Sequence, residues 1–443
     1  MFCTIIGMEL LNRKTTYRLY PTPAQECALQ EQREAHRLLY NAAFEQRRAA
    51  WKRRRHTVTY AEQCRDLTEL RHADKANAPG HAQASQVTLK RVDLAFKAFF
   101  RRVKAGEEPG YPRFKSRKRF KGWGYKTHGD GWRLSPKEGM RHGRLWLTGI
   151  GHVKIRGDAR TLGTPKTCEL TYGHGKWYAS VTIACVPERS SGDDALGLDW
   201  GIEPYATIAH ADGTIEPVEN PRWLQKSQAR LTVASQAREA KTKGSCAWKA
   251  CNRNVAKLHS TAARQRLDFQ HKLSARLVGQ AAIIGTEQLH IAPLVRRPKV
   301  RQDEQTGEYM SNGARQKAGL NRAILDGAPA TLLAMLRYKA AEAGTVYGEA
   351  STQRLKPSQT CHQCGRRQKK PLSQRWHTCL CGASCGRDVN SAIVMRDWGI
   401  EHLYVILLAW LASHLRACPE RDSGSQELAP CHMAQNLPLE LKA

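Results

Sequence analysis

Two pairs of closely spaced cysteines lie near the end of the 443-residue chain, in the stretch PSQTCHQCGRRQKKPLSQRWHTCLCGASCGRDVNSAI over residues 357–393. Cys361 and Cys364 form a Cys-x-x-Cys-Gly motif, and Cys379 and Cys381 form a Cys-x-Cys-Gly motif. Thiolates two or three positions apart in a tight turn can bind one Zn²⁺ at about 2.3 Å, and two such pairs complete a tetrahedral site. The spacing therefore predicts a closed structural zinc site, which stabilises its own fold and carries out no catalysis.

Other side chains in this window leave one ligand position open. Cys385 adds a fifth thiol that could replace Cys381, although the Cys-x-Cys-Gly motif favours Cys381 as the fourth ligand. His362 and His377 are expected to flank the site without binding the metal. Cysteines used in this way suit a reducing, intracellular environment better than a disulfide framework does.

Three acidic residues occupy positions where a carboxylate is costly unless it has a partner. Asp199 lies in an apolar strand, Glu287 ends the apolar run 281–286, and Asp388 opens an apolar helical run directly after the cysteines. A buried acid needs a hydrogen bond or a metal ion. Two carboxylates from strands and one from a helix start can hold a pair of divalent cations for phosphodiester hydrolysis, and carboxylate oxygens suit Mg²⁺ or Mn²⁺.

Each of these acids also has an ordinary explanation. Asp199 could satisfy a turn, Glu287 could be a surface charge at a strand end, and Asp388 could cap its helix. The order Asp, Glu, Asp beside a zinc module favours the metal site over three separate explanations.

The charge of the chain indicates a polyanionic partner. Lysine and arginine number 71 against 40 acidic residues, which gives a net charge of +31. Such an imbalance is typical of proteins that bind nucleic acid. Residues 112–121 mix six basic residues with two phenylalanines, and Trp123, Tyr125 and Trp132 follow. Basic and aromatic residues together suit backbone contact with base stacking, although a β-domain with a charged rim explains them equally well. The candidate contacts in this run are Arg113, Lys115, Arg117 and Lys118.

The hydrophobic pattern predicts an α+β protein of several domains. A strand at 15–20 is followed by a helical block over 24–105 and by strand candidates at 144–147, 152–155, 168–172 and 176–186. This order predicts one β-domain interrupted by a helical lobe. From residue 195 the pattern of strands, charged helices over 224–280 and a buried strand at 281–286 predicts an α/β domain. The N-terminus carries no secretory signature, and the most apolar run, 403–415, is too short to cross a bilayer. We therefore expect a cytoplasmic protein.

The chain resembles the TnpB family of transposon-encoded RNA-guided nucleases, which are related to type V CRISPR effectors, from about residue 15 to 395. The matching motifs are YRLYPT at 17–22, GYPRFKSR at 110–117, GKWY at 175–178, NPR at 220–222, DFQHKLS at 268–274, LNRAILD at 320–326 and the cysteine-rich segment ending in Arg-Asp-Val-Asn.

The resemblance implies a fold and a domain plan. A β-barrel-like wedge domain would span 1–23 and 106–190, with a helical recognition lobe at 24–105 inserted in it. A RuvC-like, RNase H-type α/β nuclease domain would span 191–356 and 386–400 and contain a helical hairpin at 217–280. A zinc-ribbon insertion would occupy 357–385, and a poorly ordered tail would occupy 401–443.

The same resemblance implies a mechanism in which a guide RNA pairs with target DNA and the protein cuts beside a short flanking motif. Asp199, Glu287 and Asp388 would be its three metal-binding acids, with Mg²⁺ (or Mn²⁺) and Zn²⁺ as separate cofactors. Lys272 is an expected nucleic-acid contact. Gln86 and Lys90 in the helical lobe are candidates for reading the flanking motif, because glutamine can bind adenine through two hydrogen bonds.

Two departures from the family pattern leave alternatives open. Gln288 follows the glutamate where the family usually has aspartate, and Cys385 and Gly386 stand where the family often has His-Asp. A nuclease-inactive RNA-guided or plain DNA-binding regulator is therefore one alternative, and a small type V CRISPR effector is another.

Overall fold

The computed structural model describes residues 11–73, 80–159, 162–186, 188–371 and 373–416, without the side chains of 405–416. The chain divides into two compact units, Met1–Pro187 and Glu188–Ala443. Residues 1–10 of the predicted β-domain and residues 417–443 of the predicted tail lie outside the described residues. The first part of that tail, 401–416, is helical.

A seven-stranded antiparallel sheet forms the β part of the first unit. Its strands are β1 (Leu11–Tyr20), β2 (Gly124–Tyr125), β3 (Trp132–Pro136), β4 (Arg141–Leu147), β5 (Gly151–Asp158), β6 (Thr164–Gly173) and β7 (Lys176–Cys185), in the spatial order β2-β6-β7-β1-β5-β4-β3. A single 3₁₀ turn at Glu138–Met140 precedes β4. β1 pairs with both β5 and β7, so the N-terminal strand lies inside a sheet whose other strands come after the helices.

The two faces of this sheet differ because strand side chains alternate. Tyr17 and Leu19 of β1 are buried, whereas Arg18 and Tyr20 between and after them keep part of their surface exposed. The inner face carries three fully buried tryptophans: Trp123, Trp132 and Trp177. Burial of these large rings supplies much of the apolar stabilisation of the sheet.

Three helices follow β1: α1 (Pro23–Arg54), α2 (Tyr60–Ala73) and α3 (Ala82–Lys104). α1 begins at a capping box in which the Thr22 side chain accepts a hydrogen bond from the Gln25 amide and the Gln25 side chain accepts one from the Thr22 amide. Pro23 at the first helical position fixes the backbone for the turn. The helices share a second core that includes Phe44, Leu67 and Val92.

The second unit is built on a five-stranded mixed sheet. Its strands are β8 (Asp194–Trp200), β9 (Ala206–Ala209), β10 (Ile215–Val218), β11 (Ala281–Glu287) and β14 (Val346–Ala350), in the order β10-β9-β8-β11-β14. β11 is parallel to β8 and β14, whereas β9 is antiparallel to β8 and β10. β11 is central and almost entirely buried, as its continuous apolar sequence requires.

The other described elements of this unit are the following. The helices are α4 (Trp223–Lys226), α5 (Gln228–Glu239), α6 (Cys246–Gln280), α7 (Ile291–Leu294), α8 (Ala314–Gly327), α9 (Pro329–Ala343), α10 (Thr352–Leu355) and α11 (Arg387–Arg416). Two short hairpins are β12 (Arg301–Gln302) with β13 (Tyr309–Met310), and β15 (Trp376–Thr378) with β16 (Ser384–Gly386). None of the helices in the described residues is long and apolar enough to cross a membrane.

Helices cover both faces of the five-stranded sheet. On one face, Leu196 and Leu198 of β8 share a core with Leu277 of α6 and Leu336 of α9. On the other face α11 packs on β8 and β11. Asp199 has the same parity in β8 as Gly197, which touches α11, so its side chain points to the face on which α11 lies.

Candidate functional site

The four predicted zinc ligands lie together. The Sγ atoms of Cys361 and Cys381 are 3.6 Å apart, and those of Cys364 and Cys379 are 3.5 Å apart. All four Sγ atoms lie within 4.8 Å of one another. Sulfur atoms at the corners of a tetrahedron around Zn²⁺ would be about 3.8 Å apart, since each Zn–S bond is about 2.3 Å. The four thiols therefore fit one zinc ion with little rearrangement.

Each cysteine pair is closed by a glycine turn. The amide of Gly365 donates to the carbonyl of Cys361, and the amide of Gly382 donates to the carbonyl of Cys379, each at 3.0 Å. Both glycines have positive φ, 69° and 95°. Only glycine adopts such φ values readily, so the glycine in each motif lets the backbone turn around the metal position.

Cys385, His362 and His377 lie in the same window but are not part of the group of four thiols. The position of Cys385 in β16 is opposite His377 in β15. His377 is buried against Lys370. Among the described residues one further group has metal-ligand spacing, formed by His377, His362 and Cys361. It shares Cys361 with the four-thiol group, so a single zinc ion would leave the two histidines as neighbours.

Asn390 fastens the cysteine module to α11. Its fully buried side chain donates to the carbonyls of Pro357 at 3.1 Å and Thr360 at 2.7 Å, and it accepts from the amide of His362 at 3.1 Å. The amide of Arg387 also donates to the carbonyl of Arg375. These bonds hold the first turn of α11, and Asp388 within it, in a fixed position relative to the module.

The three predicted metal-binding acids lie at one end of the sheet. Leu198 of β8 and Thr286 of β11 are register partners in a parallel pair, so Asp199 and Glu287, one residue further along, are side by side. Asp388 lies in the first turn of α11, and α11 packs on both strands. All three side chains are partly buried.

The electrostatics of this end of the sheet reflect the proximity of the acids. The pKa of Asp199 is raised well above its usual range by desolvation first, and then by the negative charges of Glu287 and Asp388. The positive charge of Arg387 acts in the opposite direction and lowers the pKa of Asp199. Burial also raises the pKa of Glu287, against a hydrogen bond with Thr352. An excess of buried negative charge is what divalent cations would neutralise.

The three carboxylates are more widely spaced than the four thiols. Among the described residues, the three carboxylates do not form a group whose ligand atoms all lie within 4.8 Å of one another, as three ligands of one small ion would. In a two-metal site the ions are about 4 Å apart and each oxygen is about 2.1 Å from its ion, so outer ligands are separated by up to about 8 Å. Carboxylate oxygens are ligands that suit Mg²⁺ or Mn²⁺.

The departure at Gln288 involves the backbone more than the side chain. Its amide donates to the carbonyl of Ala350, and its carbonyl accepts from the Thr352 hydroxyl. The side chain itself is exposed. The residue that follows Glu287 therefore ties β11 to β14 whatever side chain it carries.

The predicted nucleic-acid contacts are scattered over the surface, and most of them already have partners. Arg117 forms an ion pair with Glu34, Lys90 with Asp93 and Lys272 with Asp268. Gln86 accepts from Lys126, and the Lys115 ammonium lies over the ring of Tyr40. Arg113 and Lys118 are exposed, and no ion pair of either is found in the part of the chain that the structure describes.

The stacking role considered for the aromatic residues after residue 112 is wrong for four of them. Phe120, Trp123, Tyr125 and Trp132 are all at least 95% buried, because strand alternation and the turn before β2 direct them into the two cores of the first unit. Phe114 is exposed, but its ring packs edge-on against Phe44 at 4.8 Å.

The outer face of the first sheet carries a cationic surface that the sequence analysis missed. The register places Arg18 opposite Arg156, and Lys154 opposite both Tyr20 and Arg144. Like charges directly opposite in a sheet are destabilising, and none of these four cations has an ion pair within the described ranges. The guanidinium groups of Arg18 and Arg156 both lie over the ring of Tyr20, at 4.5 and 5.0 Å from its centre. The alternation of charged and apolar residues within each strand could have indicated a charged face. The order of the strands in the sheet was needed to show that the cations of different strands are neighbours.

Three family models match separate parts of the chain. A model described as "Probable transposase" (OrfB_IS605) matches residues 178–297, and one described as "Cas12f1-like, TNB domain" matches 330–395. A "Helix-turn-helix domain" model (HTH_OrfB_IS605) matches 8–56. The described part of that last segment folds as β1 and the single long helix α1.

Relatives of the chain match over most of its length. A protein of Streptomyces pristinaespiralis named "Putative RNA-guided DNA endonuclease" is 31% identical over 87% of this chain and 89% of its own. InsQ of Escherichia coli (strain K12), with the same description, is 28% identical over 85% of this chain and 89% of its own. A chain in a cryo-EM structure of a Cas12f1-sgRNA-target DNA complex aligns with 87% of this chain and 99% of its own, with 10% identity and a TM-score of 0.55. The last likeness concerns the fold.

Proposed function

Because the chain belongs to the TnpB family of transposon-encoded RNA-guided DNA endonucleases, we propose that it cleaves DNA beside a short flanking motif, at a site chosen by a bound guide RNA. The observation that carries this function is the meeting of Asp199, Glu287 and Asp388 at one end of a sheet, where desolvation first and the charges of the other two acids second raise the pKa of Asp199. The net charge of +31 supports binding of both nucleic acids.

The three acids would hold Mg²⁺ (or Mn²⁺) in this proposal. When bound there, such ions would supply activation of a water and neutralisation of charge on the phosphodiester. Asp199 and Glu287 supply carboxylates from adjacent strands, and Asp388 supplies one from the helix that crosses them. Desolvation around Asp199 strengthens each of these electrostatic interactions.

The cysteine module would hold Zn²⁺ and would affect the reaction by fixing the position of Asp388. The proposed ligands are Cys361, Cys364, Cys379 and Cys381, whose sulfur spacing matches a tetrahedral site. Through Asn390 the module supports the first turn of α11, so zinc binding and the placement of Asp388 are linked. Thiolate and carboxylate ligands keep the two metals apart.

The domain plan follows from the same family membership. We assign 1–23 and 106–190 to a wedge-like β-domain, 24–105 to a helical recognition lobe, and 191–356 with 386–400 to a RuvC-like, RNase H-type nuclease domain. Residues 217–280 form the helical hairpin of that domain and 357–385 its zinc-ribbon insertion. The mixed sheet of the second unit, with helices on both faces, supports the nuclease assignment.

Guide RNA and target DNA need extensive contact with basic surfaces. We assign such contacts to the cationic outer face formed by Arg18, Arg144, Lys154 and Arg156, because its neighbouring like charges would attract an anion. The contacts expected from the sequence remain part of the proposal: Gln86, Lys90, Arg113, Lys115, Arg117, Lys118 and Lys272. Sequence would be read by base pairing with the guide.

The function is tested by expressing the chain together with its flanking genomic DNA and sequencing the RNA that purifies with it. We expect one discrete RNA that ends in sequence from beside the gene. DNA that is complementary to the guide end of this RNA should then be cut in Mg²⁺, and DNA with a scrambled target should stay intact. Heterogeneous RNA, or cutting that ignores the guide sequence, would contradict the proposal.

A further inference from the structure

An apolar cavity of about 450 Å³ opens between the ends of two helices in the first unit. α1 contributes Arg47 and Trp51, and α3 contributes Phe96, Phe99 and Phe100. The loop after α1 and Tyr111 complete the walls, and no acidic residue lines them. Its size and its aromatic lining are typical of sites that bind a small planar group.

Three of the aromatic rings that line the cavity expose about half of their surface to solvent. Trp51 is 52% exposed, Phe100 is 58% exposed and Tyr111 is 47% exposed. Tyr111 packs edge-on against Phe96 at 6.0 Å and Phe99 at 5.2 Å between ring centres. Aromatic area of this kind marks a binding surface when it lies in a concave site.

The side chain of Arg47, which lines the cavity, is held by contacts within the first unit. Arg47 lies 5.6 Å over the ring of Phe96 and forms an ion pair with the buried carboxylate of Asp93 at 3.5 Å. Its Nε also donates to Gln63 at 2.9 Å. These contacts fix the guanidinium beside the aromatic rings of the cavity, a place that suits the flat face of a further ring.

The segments that adjoin the cavity are strongly basic. Lys52, Arg53, Arg54 and Arg55 follow Trp51 directly, and Arg101, Arg102 and Lys104 follow Phe100. Cations near a helix C-terminus interact favourably with the helix dipole. One or two cations per helix are enough for this interaction, so it does not account for all seven. Within the ranges that the structure describes, none of these seven cations has an ion pair. The surroundings therefore attract a polyanion, whereas the cavity accepts a neutral aromatic group.

We propose that this cavity binds an unstacked nucleobase of a single-stranded nucleic acid, with the adjoining cations on the phosphates of the same strand. The proposal rests on the function proposed above, since that function supplies the nucleic acid. Stacking of bases on aromatic side chains beside a basic groove is how proteins hold single strands without reading sequence. A guide RNA and a displaced DNA strand present the same chemistry, so the test includes both.

Matched alanine variants on the same two helices test the site. Trp51→Ala and Phe100→Ala remove cavity rings. Leu38→Ala on α1 and Leu94→Ala on α3 remove apolar side chains that are equally exposed, at 54% each, but do not line the cavity. The full-length protein, freed of bound nucleic acid, is titrated without added Mg²⁺ into fluorescein-labelled 20-mers of single-stranded DNA, single-stranded RNA and an abasic DNA strand.

The cavity variants should bind at least one base-containing strand roughly 5- to 150-fold more weakly than the wild type, as loss of one stacked base predicts. The strand type with the larger loss identifies the source of the base. Affinity for the abasic strand and the slope of log K against log salt should be unchanged, because no phosphate contact is lost. The leucine controls should stay within about twofold of the wild type.

Three results would overturn the proposal. If wild-type protein binds both strands and the cavity variants bind them equally well, the cavity holds no base, although the proposed function stands. If the variants instead convert a dimer to a monomer with unchanged affinity for the strands, the cavity is an interface between copies of the chain. If wild-type protein binds neither strand, this proposal and the proposed function both fail.

Discussion

Gly197 of β8 lies directly against the backbone of Ala392 in α11: a methyl group on Gly197 would overlap the Ala392 carbonyl oxygen. Gly285 of β11 meets the carbonyl of Met395 in the same way, and its backbone lies 3.3 Å from where a methyl group on Gly399 would be. Because the strands have no side chain at these points, α11 can lie directly on β8 and β11. This close packing brings Asp388 to the two strand acids.

We therefore predict that Gly197→Ala moves α11 away from the sheet. Overpacking typically costs about 1–3 kcal/mol, and an overlap with backbone atoms should fall at the upper end of that range. The free energy of unfolding in urea should fall by about 3 kcal/mol, and DNA cleavage should be lost because Asp388 no longer lies beside Asp199.

Gly319→Ala is the matched control for this prediction. Gly319 is inside helix α8 with no atom within 4 Å of its added methyl group, so the change should stabilise the protein by about 0.5–1 kcal/mol. Equal stability and activity of both glycine variants would show that the approach of α11 is unimportant.

Zinc content should depend on Cys364 and be independent of Cys385. Wild-type protein should contain one zinc per chain by mass spectrometry of the metal, and Cys364→Ser should contain much less and unfold at lower temperature, because metal binding and folding of the module are coupled. Cys385→Ser should keep its zinc. Loss of zinc from Cys385→Ser with retention in Cys364→Ser would reverse the ligand assignment.

A buried histidine should make the first unit sensitive to acid. His36 is fully buried, shares a hydrogen bond of 3.0 Å with Thr88 and stacks on Trp123 at 5.4 Å. Desolvation first, and the charge of Arg91 second, lower its pKa to about 3. The unfolded state takes up a proton near pH 6.5 and the folded state does not. This contribution to stability is present above pH 6.5 and is lost as the pH falls toward 3.

The slope from this one group can reach about 1.4 kcal/mol per pH unit. His36→Asn should lower stability at pH 7.5 but flatten the decline between pH 6.5 and 4, as measured by urea unfolding followed by tryptophan fluorescence. His259→Asn on the exposed surface of α6 should leave the slope as it is. An unaltered slope in His36→Asn would mean that other groups cause the acid sensitivity.

Reversing one charge on the cationic outer face should have opposite effects on stability and binding. Lys154→Glu replaces a like-charge neighbour of Arg144 by an attractive one, and favourable cross-strand charge pairs contribute about 0.2–1 kcal/mol. The free protein should therefore become more stable by about that amount, whereas its affinity for RNA should fall. Lys299→Glu changes the net charge equally on an exposed loop, and an equal loss of affinity there would show that only net charge matters.

The sequence predicted strands of both sheets. The strand predictions at 15–20, 144–147, 152–155, 168–172 and 281–286 all lie inside observed strands, since alternation and apolar runs are local properties. β2, β3 and β14 were not predicted. β2 has only two residues, too few to form a pattern. β14 has the sequence Val-Tyr-Gly-Glu-Ala, which has no clear strand pattern, and it is a strand because it pairs with the buried β11.

Candidate site residues also differ in whether a local sequence pattern marks them. The cysteine spacing and the three acids could be named from the sequence, because each is marked by a motif or by an acid in an apolar run. The cationic face could not, because Arg18 and Arg156 are 138 positions apart and become neighbours only through the pairing of β1 with β5. The aromatic residues after Lys121 were misjudged as stacking candidates, because burial of Trp123 depends on helices α1 and α3 as well as on the sheet.

The central claim is that Asp199, Glu287 and Asp388 form the centre that cuts DNA under the direction of a guide. Cleavage of guide-matched DNA by wild-type protein and by Asp199→Ala, each carrying its co-purified RNA, in Mg²⁺ tests this claim most directly. The account predicts cutting by the wild type, no cutting by Asp199→Ala, and equal RNA content and DNA affinity in the two proteins. An Asp199→Ala protein that cuts at the wild-type rate would contradict it.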